Sequence, residues 1–357
     1  MSSWGIKQNA NVCTGMSIFE VLSEFSFRTL DKSRRNFNIQ REDYGCKNEL
    51  EYLIGCRVVE SIKRHMPNLD YERYSILKSI SEGDEFQECD QKSIYSFSIM
   101  NMAIEKTHNG EISFMLPDEL FAAFREADSS ALQERAKKNS ELYDLINGCI
   151  LSYGLIDSNR LQKTVSKHTS FKFNDQRFKE ALAGCEALHG TILVDEPLVY
   201  SRCFKEPEYY IKEQAMVKEF DYKEFSKEEL IQAADVMFVP DKPCYWKLMQ
   251  LLRRFFRCSE DISHVSAAVL INYAKACRII EESMVYISNE LGVPTTEFMK
   301  KFVPLYCDYN NCTGKWALKG HTPNEITKIK NPEIYEMAKH MRDKERGPGR
   351  VVPFMAN

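Results

Sequence analysis

The chain has 357 residues, 43% hydrophobic and 28% charged, with 48 basic against 52 acidic side chains and a net charge of −4. That length allows two or three domains, and that balance supports a packed core, which excludes global disorder. The charge excludes a wholly basic nucleic-acid coat but not a basic face on a near-neutral protein.

Two expectations on location follow. The opening MSSWGIKQNANVCTGMSIF holds no long apolar run, so no secretory signal is expected. Twelve cysteines are scattered without a CxxC spacing, and several fall on apolar helical stripes. A cytoplasmic protein with free thiols is therefore expected.

In chain order, residues 1–16 read as a loose leader. Ser17 caps a short apolar helix through Phe19, Val21, Leu22 and Phe25. RTLDKSRRNFNIQREDYG is polar and reads as a loop. A helix is predicted from Lys47 to Met66 and ended by Pro67, and another from Glu72 to Ile80. Over 93–116, alternation at Met100, Met102, Ile104 and at Ile112, Phe114, Leu116 flanks Asn109-Gly110, which predicts a β-hairpin. Pro117-Asp118-Glu119 opens the next helix.

The stretch from Leu142 to Phe204 is the most informative. Leu142, Leu145, Ile146, Cys149, Ile150 and Tyr153 mark one helical face, stopped by Gly154. Asp157-Ser158 caps a second helix with Leu161 and Val165, and Asn174-Asp175 caps a third with Phe178, Ala181, Leu182 and Cys185 inward. After Gly190, Thr191 to Val194 and Leu198 to Tyr200 read as two strands around Asp195-Glu196-Pro197. Three helices followed by a small hairpin form the pattern of a winged helix-turn-helix unit. From Asp157 to Lys179 six basic residues, Arg160, Lys163, Lys167, Lys172, Arg177 and Lys179, stand against Asp157 and Asp175. They are the candidate nucleic-acid-binding residues, because cations at this spacing contact phosphates. Glu180 and Glu186 on the third helix oppose that reading.

Beyond 205 the chain is helical again. Ser226-Lys227-Glu228-Glu229 is a capping box. Tyr245, Leu248, Leu251, Leu252, Phe255 and Phe256 form an apolar face accompanied by Trp246, Lys247, Arg253, Arg254 and Arg257. Such a helix can stack single-stranded bases, but its aromatic spacing is also that of an ordinary core face. One long helix is predicted from Glu260 to Leu291, stopped by Gly292 and Pro294, then a loop from Asn310 to Gly320, a helix from Thr322-Pro323 and a flexible tail. Cys307, Cys312 and His321 are zinc-type ligands, yet they lack a fourth ligand and a knuckle spacing, so no metal site and no cofactor is assigned. The carboxylate pairs Asp195-Glu196 and Glu228-Glu229 are tied to no nucleophile. Cys185 and His189 are close in sequence, but Cys185 fits a packed stripe, so no catalytic residue is assigned.

The segment Asn310-Asn311-Cys312-Thr313-Gly314-Lys315-Trp316-Ala317-Leu318-Lys319-Gly320-His321-Thr322-Pro323-Asn324-Glu325 resembles a signature of poorly characterised bacterial proteins related to SEC-C-motif-containing proteins. The block around Tyr153-Gly154-Leu155-Ile156 is similar to the middle of that group. The resemblance implies a zinc-binding cysteine-rich tail, but no cysteine follows Cys312, so that expectation does not transfer. No catalytic residue transfers either. Trp316 burying its ring, Gly320 turning the chain and Pro323 starting a helix make the segment a structural clasp.

The fold expected is mainly α with small β-hairpins and a winged-helix-like central module. Its regions are an N-terminal helical part with a hairpin (1–116), the module (117–204), a C-terminal helical domain (205–342) and a tail (343–357). The function expected is a non-enzymatic regulatory or adaptor protein whose module binds nucleic acid. A second expectation is a protein–protein interaction factor, from a mobile element or phage–host conflict, without nucleic-acid binding. The third is an enzyme whose histidine, cysteine and carboxylate meet only in the fold.

Overall fold

A computed structural model of the chain describes residues 11–84, 91–108, 111–203, 206–333 and 336–337. It is mainly helical, with sixteen α-helices and six short strands among the described residues. No helix among them is long and apolar enough to cross a membrane. The chain forms two compact units, Met1–Asn147 with Ser158–Pro197, and Gly148–Asp157 with Leu198–Asn357.

In the first unit, β1 (Asn11–Cys13) lies parallel to β3 (Glu111–Met115), with Cys13 opposite Met115. On its other edge β3 pairs antiparallel with β2 (Ile104–His108), Ile104 opposite Met115. The hairpin thus forms, while its Asn109-Gly110 turn lies outside the described residues. It is shorter than the alternation predicts. Gln91–Ile99 is a helix, α5, and Met100 and Met102 are buried in the turn that follows it.

The unit also holds α1 (Ile18–Ser23), α2 (Phe27–Ser33), α3 (Lys47–His65), α4 (Tyr71–Glu82) and α6 (Asp118–Ala127), with α1, α2 and α6 packed on α3. Ser17 and Glu20 form a reciprocal capping box on α1, at 3.2 and 2.8 Å. The polar stretch expected as a loop holds α2 and two 3₁₀ turns, Arg34–Phe37 and Arg41–Asp43. Leu30 and Phe37 explain it, because each buries a large side chain that its polar neighbours mask in the pattern. Leu50, Ile54, Val58 and Ile62 line the buried face of α3. Each contributes about 1.5–3 kcal/mol of apolar burial.

The helix α7 (Ser130–Tyr153) starts a full twelve residues before the apolar stripe at Leu142, through a polar run of good helix formers. Its residues to Asn147 belong to the first unit, with α8 (Ser158–His168), α9 (Asp175–His189) and β5 (Ile192–Asp195). Asn174 accepts from the Arg177 amide at 2.8 Å and caps α9, and Gly190 ends it at φ 59.

The second unit begins with the end of α7. Gly154 stops that helix at φ 75 and releases β4 (Leu155–Asp157), which pairs antiparallel with β6 (Leu198–Ser201). It continues with α10 (Pro207–Met216), α11 (Lys227–Ala233), α12 (Pro243–Phe256) and α13 (Glu260–Lys275). Then come α14 (Ile280–Glu290), α15 (Thr296–Cys312) and α16 (Pro323–Lys330). The single long helix expected from Glu260 to Leu291 is therefore two, broken at Cys277 with φ 54. The loop expected from Asn310 is also shorter, since α15 runs to Cys312 and a 3₁₀ turn covers Trp316–Leu318.

Tyr245, Leu248 and Leu252 of α12 meet Leu270 and Ile271 of α13, Ile287 of α14, and Phe298, Phe302 and Tyr309 of α15 in one core. The segment after α15 clamps onto this unit. The Trp316 indole is buried and donates to the Leu151 carbonyl at 3.1 Å. Lys315 reaches the Ala274 carbonyl at 2.7 Å and the Asn310 amide oxygen at 2.6 Å. Thr322 and Glu325 cap α16 reciprocally.

Candidate nucleic-acid interface

The helix α8 has the sequence SNRLQKTVSKH, with no acidic side chain. Leu161 and Val165 are fully buried. Arg160, Lys163 and Lys167 are exposed. Their i, i+3, i+7 spacing keeps them within about 60° of one another around the axis, and the two apolar residues lie on the far side. The amphipathic period therefore turns three cations outward because it turns two aliphatic anchors inward.

The connection from α8 to α9 is tied down. Gln162 donates to Asp175 at 2.8 Å. The Ser170 amide and hydroxyl both donate to Glu141 of α7, at 2.9 and 2.7 Å. Lys172 is exposed between Phe171 and Phe173, whose rings lie 6.3 Å apart, and Phe173 stacks on Phe178 at 5.7 Å. The ammonium of Lys138 sits 5.5 Å from the Phe171 ring centre. This cation on α7, which is also 3.5 Å from Glu134, was not among the residues read from the sequence. Its signal was the Lys137-Lys138 pair, which stands outside the apolar stripe.

On α9 the two predicted residues part company. Lys179 is exposed and 3.8 Å from Glu196. Arg177 is turned inward, where its guanidinium donates to the Asn139 amide oxygen and lies 3.8 Å from Glu180. Asn139 in turn donates to the Pro67 and Leu69 carbonyls at 3.1 and 2.7 Å. Burial pulls the Arg177 pKa below its usual value. Arg177 is thus a strut among α9, α7 and the turn before α4. Of the acids on α9, Glu180 is held by Arg135 at 3.1 Å and Glu186 accepts from the Val194 amide at 3.3 Å. Both are occupied inside the unit.

The remaining constellations sort by environment. On α12, Phe255 and Phe256 pack edge-on against Phe298 at 5.5 and 5.0 Å, so they are core, while Trp246 is half-exposed and donates to Asp241 at 2.7 Å. Cys307 is exposed, Cys312 accepts from Asn324 at 3.5 Å, and the His321 ring lies 3.0 Å from the Asp221 carbonyl. Among the described residues no group of three His, Cys, Asp or Glu is placed to hold a metal ion.

A histidine, a cysteine and carboxylates do meet in the first unit. His189 lies 3.6 Å from Asp70, which is ion-paired with buried Arg73, and the Asp70 and Asp144 charges act on Cys185. Cys185 is fully buried, and desolvation with those carboxylates raises its thiol well above the usual range. A thiol held protonated this firmly is no nucleophile. Comparison with protein-family models, curated proteins and solved structures finds no match.

Proposed function

We propose that the chain is a non-enzymatic regulatory or adaptor protein that binds nucleic acid through the outer face of α8. In this reading α7, α8 and α9 with the strands after them act as a winged-helix-like module, and α8 lies against the phosphate backbone. The observation that carries it is the clean division of α8 into three exposed cations and two buried aliphatic anchors, with no acid on the helix. Lys172 and Lys179 extend the positive surface, and Lys138 over Phe171 joins it. Arg177 has a different part: it fixes α9 in place. The likeness of the 310–325 segment to SEC-C-related bacterial proteins adds no site residue to this reading.

The test is a titration of labelled double- and single-stranded DNA and RNA at two salt concentrations. Affinity should fall steeply with salt, because each phosphate contact releases condensed counterion. Lys163→Glu with Lys167→Glu should weaken binding and reduce the log–log salt slope by about 2, at roughly 0.7–0.9 per contact. Affinity unchanged in the double variant sinks the proposal, and retention of one co-purifying protein with no salt-dependent binding selects the protein-interaction function instead.

A further inference from the structure

The second unit carries a groove that the nucleic-acid reading does not use. It lies between α12 and α15 and has a volume of about 410 Å³. Leu251, Pro304 and Leu305 supply apolar lining, and Lys247, Gln250, Arg254, Lys301 and Asp308 supply the polar part. Three cations face one carboxylate. Lys301 is shared with Glu297 at 3.1 Å, whereas neither Lys247 nor Arg254 has an ion-pair partner among the described residues.

The two helices run antiparallel. Phe255 and Phe256 near the end of α12 meet Phe298 near the start of α15, and Lys242 and Tyr245 at the start of α12 reach the Cys312 carbonyl at its end, at 3.2 and 3.5 Å. That register sets Cys244, the neighbour of Tyr245, beside Cys312, whose carbonyl Lys242 and Tyr245 reach. Cys244 lies one turn from Lys247, about 4.5 Å along the axis. Both cysteines fall on the helical stripes that line the groove, so the thiol pair stands in line with it.

The two thiols are not equivalent. Cys312 accepts a hydrogen bond at its sulfur from the Asn324 amide at 3.5 Å, and the Lys242 ammonium lies 3.2 Å from its carbonyl. The attacking form in a thiol–disulfide exchange is the thiolate. Cys244 keeps its proton, since sharing it with Cys312 raises its pKa far above the usual thiol range.

We propose that this groove is a redox site, in which an anionic low-molecular-weight disulfide docks on Lys247, Arg254 and Lys301 and oxidises the Cys244–Cys312 pair to an intramolecular disulfide. The Cys312 thiolate attacks one sulfur of the small disulfide. A protein mixed disulfide forms, and the first small thiol leaves and takes up a proton. Cys244 then loses its proton and attacks the Cys312 sulfur, which closes the protein disulfide and releases the second small thiol. Two electrons pass from the protein pair to the small disulfide; one of the released thiols takes the Cys244 proton and the other takes from solvent the proton that Cys312 gave up on ionising. The cations raise the local concentration of an anionic reagent and leave a neutral one unaffected.

The test treats the reduced full chain with oxidised glutathione and, separately, with neutral bis(2-hydroxyethyl) disulfide, at low and high salt, and maps products by peptide mass spectrometry. The expected product is a Cys244–Cys312 cross-link. The ratio of the glutathione rate to the neutral rate should fall about tenfold in Lys247→Glu/Arg254→Glu and at high salt. Cys244→Ser should trap glutathione on Cys312. Exposed Cys307 is the internal control. Mixed disulfides spread over Cys307 and the other exposed thiols, without the cross-link, overturn the proposal. A cross-link whose rate ratio ignores salt and both charge reversals overturns the role of the groove.

Discussion

Gln214 spends one primary amide on three carbonyls and a phenol. Its nitrogen donates to Tyr153, Leu155 and Trp316 at 3.2, 3.3 and 2.9 Å, and its oxygen accepts from the Tyr222 hydroxyl at 2.9 Å. The side chain is buried, so water cannot replace these bonds. The three carbonyls belong to the end of α7, to β4 and to the clasp, so one residue ties three segments together. Gln214→Ala should cost about 1–3 kcal/mol, since it removes four hydrogen bonds of a buried amide at once, although the Leu155 carbonyl keeps the Tyr222 hydroxyl and the Trp316 carbonyl keeps the Lys319 amide. Urea unfolding should show the midpoint fall with the slope unchanged, and a loss below about 0.5 kcal/mol, the size of an ordinary surface change, contradicts this account. Lys315 beside it shows the same pressure. Even with two acceptors, burial pulls its pKa down to about 8. Neither role was legible in sequence. Glutamine and lysine read as surface residues, and only the fold brings these carbonyls to them.

Between elements, backbone approach sets the tolerances. A Cβ on Gly148 of α7 would lie 1.9 Å from the Leu230 carbonyl oxygen of α11 and 2.6 Å from its carbon. Both obstacles are backbone, so no side chain can rotate away. A Cβ on Gly184 of α9 would lie 2.1 Å from the Tyr143 hydroxyl, which can move if it gives up its 2.8 Å bond to the Asn68 carbonyl. Gly148→Ala should therefore cost about 3 kcal/mol or more and Gly184→Ala less, within the range for overpacking. Thermal unfolding of the two variants checks the order, and an equal or reversed order rejects the backbone argument. Local periodicity made α3, α8, α9 and α12 readable, with the Asn174 cap of α9 and the exposure of Arg160, Lys163 and Lys167. It failed where distant groups decide. The apolar period runs unbroken through Tyr273, Cys277 and Ile280, so the sequence reads as one helix. The break is held by Lys315 on the Ala274 carbonyl, Tyr210 on Ala276 and Tyr306 on Arg278, at 2.7, 2.8 and 3.0 Å. Those partners satisfy the carbonyls that a helix end releases. Arg177 was misread for the same reason, because its partner Asn139 lies 38 residues away.

Over the whole molecule the net charge of −4 keeps self-repulsion small near neutrality, so individual buried groups shape the acid response. Two in the first unit act in opposite directions. His189 is pushed down to about 4 by burial and by the Arg73 charge, although Asp70 pulls the other way. Its ring nitrogen beside Asp70 makes no hydrogen bond. A depressed histidine binds fewer protons folded than unfolded. Its contribution is full above the unfolded value of about 6.5 and is lost as pH falls toward 4. Asp144 is pushed up to about 6 by burial and by the Asp70 and Glu72 carboxylates. A raised carboxylate binds more protons folded than unfolded, so its cost is full above pH 6 and is relieved as pH falls toward the unfolded value near 3.9. Each effect amounts to about 2–3 kcal/mol, and over pH 6.5 to 4 they nearly cancel. Between them these two groups should thus change the stability of the chain little over that window. Asp144→Asn should stabilise it at pH 7 by about 2 kcal/mol, discounted for the solvent that the carboxylate still meets, and should expose a loss of similar size on acidification to pH 4. His189→Phe should do the reverse, becoming more stable at pH 4 than at pH 7. Urea unfolding at pH 7, 5.5 and 4 reads all three proteins, and parallel pH profiles among them would show that neither group carries the acid response.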